Sequence, residues 1–239
     1  NRTMSEMSSR KLRTIELLAP AKNYEQGRAA ILCGADALYV GAPRFGARSA
    51  AGVPEEEIVR LCDLAHRFGA KVYVAMNTLL YEQELADAER IACRMWNAGA
   101  DALIVQDMAF LRMELPPVEL HASTQVCNTD PQRVRFLSEA GFTRVILERA
   151  LSLEEIGRLS RAADVEIETF VHGAICVSYS GRCYMSRTMG PRSGNRGDCS
   201  QSCRLPYDLL DERMRPLERN RHLLSLQDMN ATGQIEELI

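Results

Sequence analysis

The sequence predicts an α/β protein of the (β/α)8 TIM-type barrel class, and three observations predict it. Eight short apolar, β-branched runs are spaced along the chain, and a stretch of helical period follows nearly every one. One phrase recurs, "CGADALYVGA" at 33–42 and "AGADALIVQD" at 98–107, with weaker echoes "FGAKVYVAMN" at 68–77 and "AGFTRVILER" at 140–149. In each, a glycine closes a helix where the backbone needs a left-handed residue, and a buried parallel strand starts just after it. Third, no glycine-rich nucleotide fingerprint is present, since "GAPRFG" is not G-x-G-x-x-G. An open doubly wound sheet is the alternative; the count of eight and the missing fingerprint favour the barrel.

The elements follow in order. Residues 1–13 lack an apolar signal-peptide core and read as a disordered lead or a cloning remnant. Strands are expected at 14–20, 37–42, 71–77, 102–107, 118–123, 144–149, 166–172 and 222–228. Helices are expected at 23–33, 54–68, 81–98, 130–140 and 152–162. "DPQ" and "SLEE" open the last two, with Asp130 and Ser152 as N-caps. Residues 14–239 then form one domain. Residues 173–221, between strands seven and eight, are a cysteine- and arginine-rich insertion far longer than an ordinary strand–helix connection. The chain stops within what would be helix eight, as a truncated polypeptide would.

A chain of 239 residues with 46% hydrophobic residues and a net charge of −3 suits a globular domain and gives no overall pull toward nucleic acid or anionic lipid. No apolar run is long enough for a membrane span. Without a secretion signal the expected location is the reducing cytoplasm, where clustered cysteines bind metal or do chemistry more often than they pair. Of the eight cysteines, Cys33, Cys62 and Cys93 lie in helical segments and read as buried packing residues; Cys127 follows the end of strand five.

The other four fall in "CVSYSGRCYMSRTMGPRSGNRGDCSQSCR", 176–204, at Cys176, Cys183, Cys199 and Cys203. The C-x6-C-x15-C-x3-C spacing matches neither a paired-cysteine zinc site nor a ferredoxin run. Four thiolates nevertheless meet the ligand count of a cubane iron–sulfur cluster and of tetrahedral zinc. Disulfides and unligated thiols are the remaining readings. Arg182, Arg187, Arg192, Arg196 and Arg204 face only Asp198 across 173–207, a local charge of about +4. Such a lid fits a phosphate backbone, a polycarboxylate or the charge of a cluster, or else is simply a solvated loop. Tyr179, Tyr184 and Tyr207 are its only aromatics and give base stacking by this loop alone little support.

Strand alternation sorts the rest. It groups Glu119, His121 and Ser123, then Arg144, Ile146 and Glu148, then Glu166, Glu168, Phe170 and His172. If the apolar parity packs on helices, these residues point into the barrel. Those near strand C-terminal ends reach the site: Asn77, Asp107, Ser123, Gln125, Glu148, His172 and Asp228. His172, Glu148 and Asp228 are the catalytic candidates. Arg44, Arg48, Asn77, Gln125, Arg182, Arg192 and Arg196 are the substrate-binding candidates.

At "FVHGAICVSYSGRCYMS" followed by "RSGNRGDCSQSCRLPY" the chain resembles the collagenase-like peptidase family U32, and "ELLAPAKNYEQGRAAILCGADALYVG" is similar to that family's start. Within the family it looks most like the long-form bacterial branch that includes ribosomal-RNA cytidine hydroxylation; sister branches hydroxylate transfer-RNA uridine or serve ubiquinone hydroxylation. The resemblance implies a 4Fe-4S cluster on Cys176, Cys183, Cys199 and Cys203, with zinc the alternative metal. It also implies RNA pyrimidine hydroxylation with prephenate, a small dicarboxylate, as co-substrate. "LQDMN" offers no cysteine where the ubiquinone branch draws a ligand, which leaves Cys203 as the fourth. Two readings stand beside this one: a peptidase with Cys176 and His172 as nucleophile and base, and a non-catalytic, metal-containing assembly factor.

Overall fold

The computed structural model describes residues 15–48 and 52–239; the expected lead at 1–13 lies outside them. The strands and helices alternate as β1 (Leu18–Ala21), α1 (Tyr24–Leu32), β2 (Ala37–Gly41), α2 (Glu55–Arg67), β3 (Lys71–Met76), α3 (Leu85–Asn97), β4 (Ala102–Val105), β5 (Glu119–Ala122), α4 (Pro131–Glu139), β6 (Arg144–Ile146), α5 (Leu153–Ser160) and β7 (Glu166–Glu168). The seven strands form one parallel sheet in sequence order. The expected local signals hold. Asp130 accepts from the Arg133 amide above Pro131, and Ser152 forms a capping box with Glu155. The helix-closing glycines Gly34, Gly69, Gly99 and Gly141 all have positive φ.

Alternation divides the strand side chains between two cores. Leu38, Val40, Val72, Val74, Met76, Leu103, Val105, Ala122, Val145 and Leu147 pack against the helices. Ala37, Tyr73, Ala75, Ala102, Ile104 and Ile146 fill the concave interior, with Tyr39 and Phe170 against them. The sheet curls enough for Arg144 on β6 to reach Glu16, just ahead of β1, at 2.6 Å.

The eighth strand differs from expectation. Residues 222–228 do not pair with β1, and β7 stops at Glu168. Met229–Asn230 (β11) instead pairs antiparallel with His172–Gly173 (β8). The insertion diverts the segment: Arg204 donates to the Ser225 hydroxyl and the Leu226 carbonyl, both at 3.0 Å, and His222 meets the Arg204 carbonyl at 2.9 Å. The cysteine expectation also needs correction. Cys62 is buried, but Cys33 is exposed because it caps the end of α1, and Cys93 is half-buried.

The insertion carries one short helix, α6 (Met185–Met189), and a hairpin of β9 (Tyr207–Leu210) and β10 (Pro216–Arg221). A last helix, α7 (Ile235–Leu238), follows β11.

Candidate functional site

The parallel strands place their C-terminal ends at one rim, and the insertion docks there through three anchors. The first is Glu148, after β6. Its carboxylate accepts from the Ser180 amide at 2.8 Å and the Ser180 hydroxyl at 3.1 Å, so this catalytic candidate holds the cysteine loop. The second is Gly181, which presses on the turn after β5. A Cβ there would lie 1.9 Å from the Gln125 carbonyl oxygen, and φ is +74°. That same carbonyl accepts from Gln106 at 3.1 Å, so Gln125 meets the loop through its backbone. The third is Arg196. It grips Glu84 with two bonds of 2.7 Å, donates to the Leu79 carbonyl and stacks on Tyr81 at 4.1 Å. The pair holds Glu84 below the usual carboxylate range.

Most of the basic lid is spent internally. Arg192 bonds Asp198 at 2.8 Å and the Cys199 carbonyl at 3.0 Å. Arg187 reaches the Pro191 carbonyl, and Arg204 ties Ile175 to Ser225 and Leu226. Arg44 pairs with Asp87. Among the described residues only Arg182 of the five loop arginines has no side-chain hydrogen bond or ion pair, and the Arg48 side chain beside the mouth has none either. An irregular loop leaves many carbonyls unpaired, and arginine is the side chain that can satisfy several at once.

Asn77, after β3, is buried and central. It donates to the Ser123 hydroxyl at 3.0 Å and toward the Tyr39 hydroxyl at 3.4 Å, and its carbonyl oxygen accepts from the Ala47 amide at 2.8 Å. Burial raises the Tyr39 phenol's pKa, so it stays protonated. Asp107 caps the turn after β4 and accepts from Leu80. Sequence reasoning missed Arg149. It stacks on Phe170 at 4.1 Å, burial lowers its pKa, and the Cys176 thiol and Glu148 nearby oppose that shift. A charged residue at a strand's C-terminal end was the available signal. His172 and Asp228 are both exposed. Among the described residues the His172 ring makes no hydrogen bond, to Cys176 or otherwise.

All four loop cysteines are free thiols. Burial raises the Cys203 pKa, and Cys199, Cys176 and Cys183 raise it further while Arg204 opposes them, so the four share one electrostatic neighbourhood. The Cys199 sulfur accepts from the Gln201 amide at 3.4 Å and the Ser186 hydroxyl at 3.8 Å, the kind of bonding that steadies a ligand thiolate. Among the described residues no three His, Cys, Asp or Glu side chains close on a point as a single metal ion requires.

Comparison with known proteins adds the following. A family model described as peptidase family U32 matches residues 22–239. The 23S rRNA 5-hydroxycytidine synthase of Escherichia coli (strain K12) is 48% identical over 225 residues, which are 94% of this chain and 34% of that protein. The tRNA hydroxylation protein P1 of Bacillus subtilis (strain 168) is 40% identical over 198 residues, 81% of this chain and 47% of that protein. The protein named collagenase from Porphyromonas gingivalis is 30% identical over 241 residues, 94% of this chain and 58% of that protein. This chain thus spans between a third and three-fifths of these relatives. A solved U32 peptidase structure superposes with a TM-score of 0.57 at 16% identity, covering 72% of this chain and 75% of that one.

Proposed function

Because the chain belongs to peptidase family U32, we propose that it is the barrel portion of an iron–sulfur-dependent RNA pyrimidine hydroxylase acting in the cytoplasm. The observation that carries the reading is a set of four free thiols, Cys176, Cys183, Cys199 and Cys203, on an insertion pinned to the strands' C-terminal rim by Glu148 and Arg196. The relatives named for RNA hydroxylation support it.

Cys176, Cys183, Cys199 and Cys203 would hold a 4Fe-4S cluster. Placing a hydroxyl on a pyrimidine ring carbon withdraws two electrons from the base; a bound cluster would supply one-electron transfer, and a further two-electron oxidant would be needed as co-substrate. The chain's own groups bind and orient. Arg48 and Arg149 are the cations at the mouth for a small dicarboxylate such as prephenate. Tyr39, Asn77 and Ser123 form a fixed set of hydrogen-bonding groups for the substrate ring, while Phe170 walls off water. The large-subunit ribosomal cytidine is the first target to examine, given the 48% identity; a transfer-RNA uridine is the second. Among the described residues no base is bonded to Cys176, the nucleophile that the peptidase reading requires. No helix of the described residues is long and apolar enough to cross a membrane.

The test is nucleoside analysis of RNA from a deletion strain, complemented by the full-length wild-type protein or its Cys183→Ala variant. Loss of one hydroxylated pyrimidine, restored by wild type alone, is the expected result. An unchanged nucleoside profile ends the hydroxylase reading. Metal-independent gelatin cleavage that is lost in Cys176→Ala would put a peptidase in its place.

A further inference from the structure

The turn Tyr179–Arg182 is pinned by its centre and bare at its flanks. The Arg182 amide closes it on the Tyr179 carbonyl at 3.1 Å. Ser180 is buried on Glu148, and Gly181 lies against the Gln125 carbonyl with no room for a side chain. Both central residues therefore face the barrel rim, and Tyr179 and Arg182 project outward beside Cys183. Tyr184, one residue beyond that thiol, heads α6. Tyr179 is 55% exposed and Tyr184 67%, whereas Tyr207 of the same insertion bonds the Ser202 carbonyl at 2.8 Å. Of the five arginines in 173–207, Arg182 is the one whose side chain has no bond among the described residues.

Exposed aromatic faces cost hydration free energy, and an arginine between them in the chain whose side chain has no partner is a cation without a counter-charge. The other four arginines of 173–207 have side-chain bonds, so Arg182 differs from them. Two ring faces and one unpaired guanidinium match a single-stranded nucleic acid, whose unstacked bases offer π-faces and whose backbone offers phosphates. A duplex hides those faces.

We propose that Tyr179, Arg182 and Tyr184 form a platform that holds unpaired RNA nucleotides beside the thiol loop, the two tyrosines stacking on bases and Arg182 meeting a phosphate. The proposal deepens the hydroxylase reading and rests on RNA being the substrate. It narrows that substrate to a loop, bulge or locally opened strand.

The test is binding of a fluorescent mixed-sequence single-stranded RNA, and of a duplex of equal length, to the full chain and its variants. Wild type should prefer the single strand. Tyr179→Ala and Tyr184→Ala should each weaken single-strand binding by about 5-fold or more, and Tyr184→Phe should keep it. Arg182→Ala should shallow the dependence of log affinity on log salt by about 0.7. Thermal unfolding unchanged from wild type separates lost contact from lost fold. Single-strand affinity indifferent to all three substitutions, or equal affinity for duplex, overturns the platform. Nucleoside analysis keeps the two ideas apart: a hydroxylated pyrimidine missing from the deletion strain, with binding insensitive to the tyrosines, removes the platform and leaves the hydroxylase. Tyrosine-dependent RNA binding with an unchanged nucleoside profile does the reverse.

Discussion

His121 on β5 is 1% exposed, and neither of its ring nitrogens has a hydrogen bond among the described residues. Its ring meets Tyr73 edge-on at 4.8 Å, and the Glu119 carboxylate stands off at 3.6 Å. Burial pushes its pKa down to about 3, helped by Arg144 and Lys71, so the folded chain keeps it neutral. The unfolded imidazole gains a proton near pH 6.5. Stability from this group is therefore present above about pH 6.5 and drains away as the pH falls toward 3. Glu168 works in the opposite sense. Burial raises it to about 7, so its contribution falls as the pH rises from about 4.5 to 7. The two are separated by a variant. In His121→Phe, urea-unfolding free energies between pH 7 and 5 should fall less steeply than in wild type, by up to about 1.4 kcal/mol per pH unit. Parallel curves would show that His121 titrates normally.

At the scale of elements, the insertion is a long irregular segment held to the barrel at a few points, and those points set its order. Alanine at Gly181 must both adopt a left-handed backbone and displace the Gln125 carbonyl, so the turn lifts. Arg196→Ala removes the grip on Glu84 and Leu79 and leaves both acceptors half-covered. Each substitution should speed limited proteolysis within 173–221 several-fold and leave α1–α5 intact, read as a stable barrel fragment by mass spectrometry. Cleavage at wild-type rates would mean that the insertion is held elsewhere. In the cluster reading, Cys203→Ala should also cost the anaerobically purified protein most of its iron and its broad brown absorbance. Full iron content would strike that residue from the ligand set.

For the whole molecule, Arg144 is the cross-brace. It is 9% exposed in its side chain and bonds Glu16 and Glu166 at 2.6 Å, with Glu168 at 3.4 Å. Tyr73 donates to the same Glu16 at 2.7 Å. Burial alone would raise the Glu16 pKa, but these bonds more than offset it and hold the carboxylate below its usual range. The brace joins residues 128 apart in sequence, where β1 and β7 share no backbone ladder. Arg144→Ala would leave the half-buried Glu16 and Glu168, and the exposed Glu166, without their cation. It should cost about 3–5 kcal/mol by chemical denaturation. A loss under about 1 kcal/mol would show that the curl of the sheet does not depend on the pair.

The positions of seven strands and five helices, the left-handed glycines, the caps at Asp130 and Ser152 and the inward face of strands five to seven were legible in the sequence by itself, because periodicity and cap chemistry act over a few residues. The grouping of Glu119, His121 and Ser123, and of Arg144, Ile146 and Glu148, needed only alternation. Partners at long range were not. Glu148 reads as a catalytic acid until Ser180 is placed on it, and Arg192, Arg196 and Arg204 read as free cations until the carbonyls and carboxylates they serve come into view. Residues 222–228 have a strand's composition, but Arg204 claims a hydroxyl and a carbonyl of that segment. A side chain's residue type states which bonds it can make. Only the tertiary structure decides which of them are already taken, because the competing partners lie up to 128 residues away and meet through the fold alone.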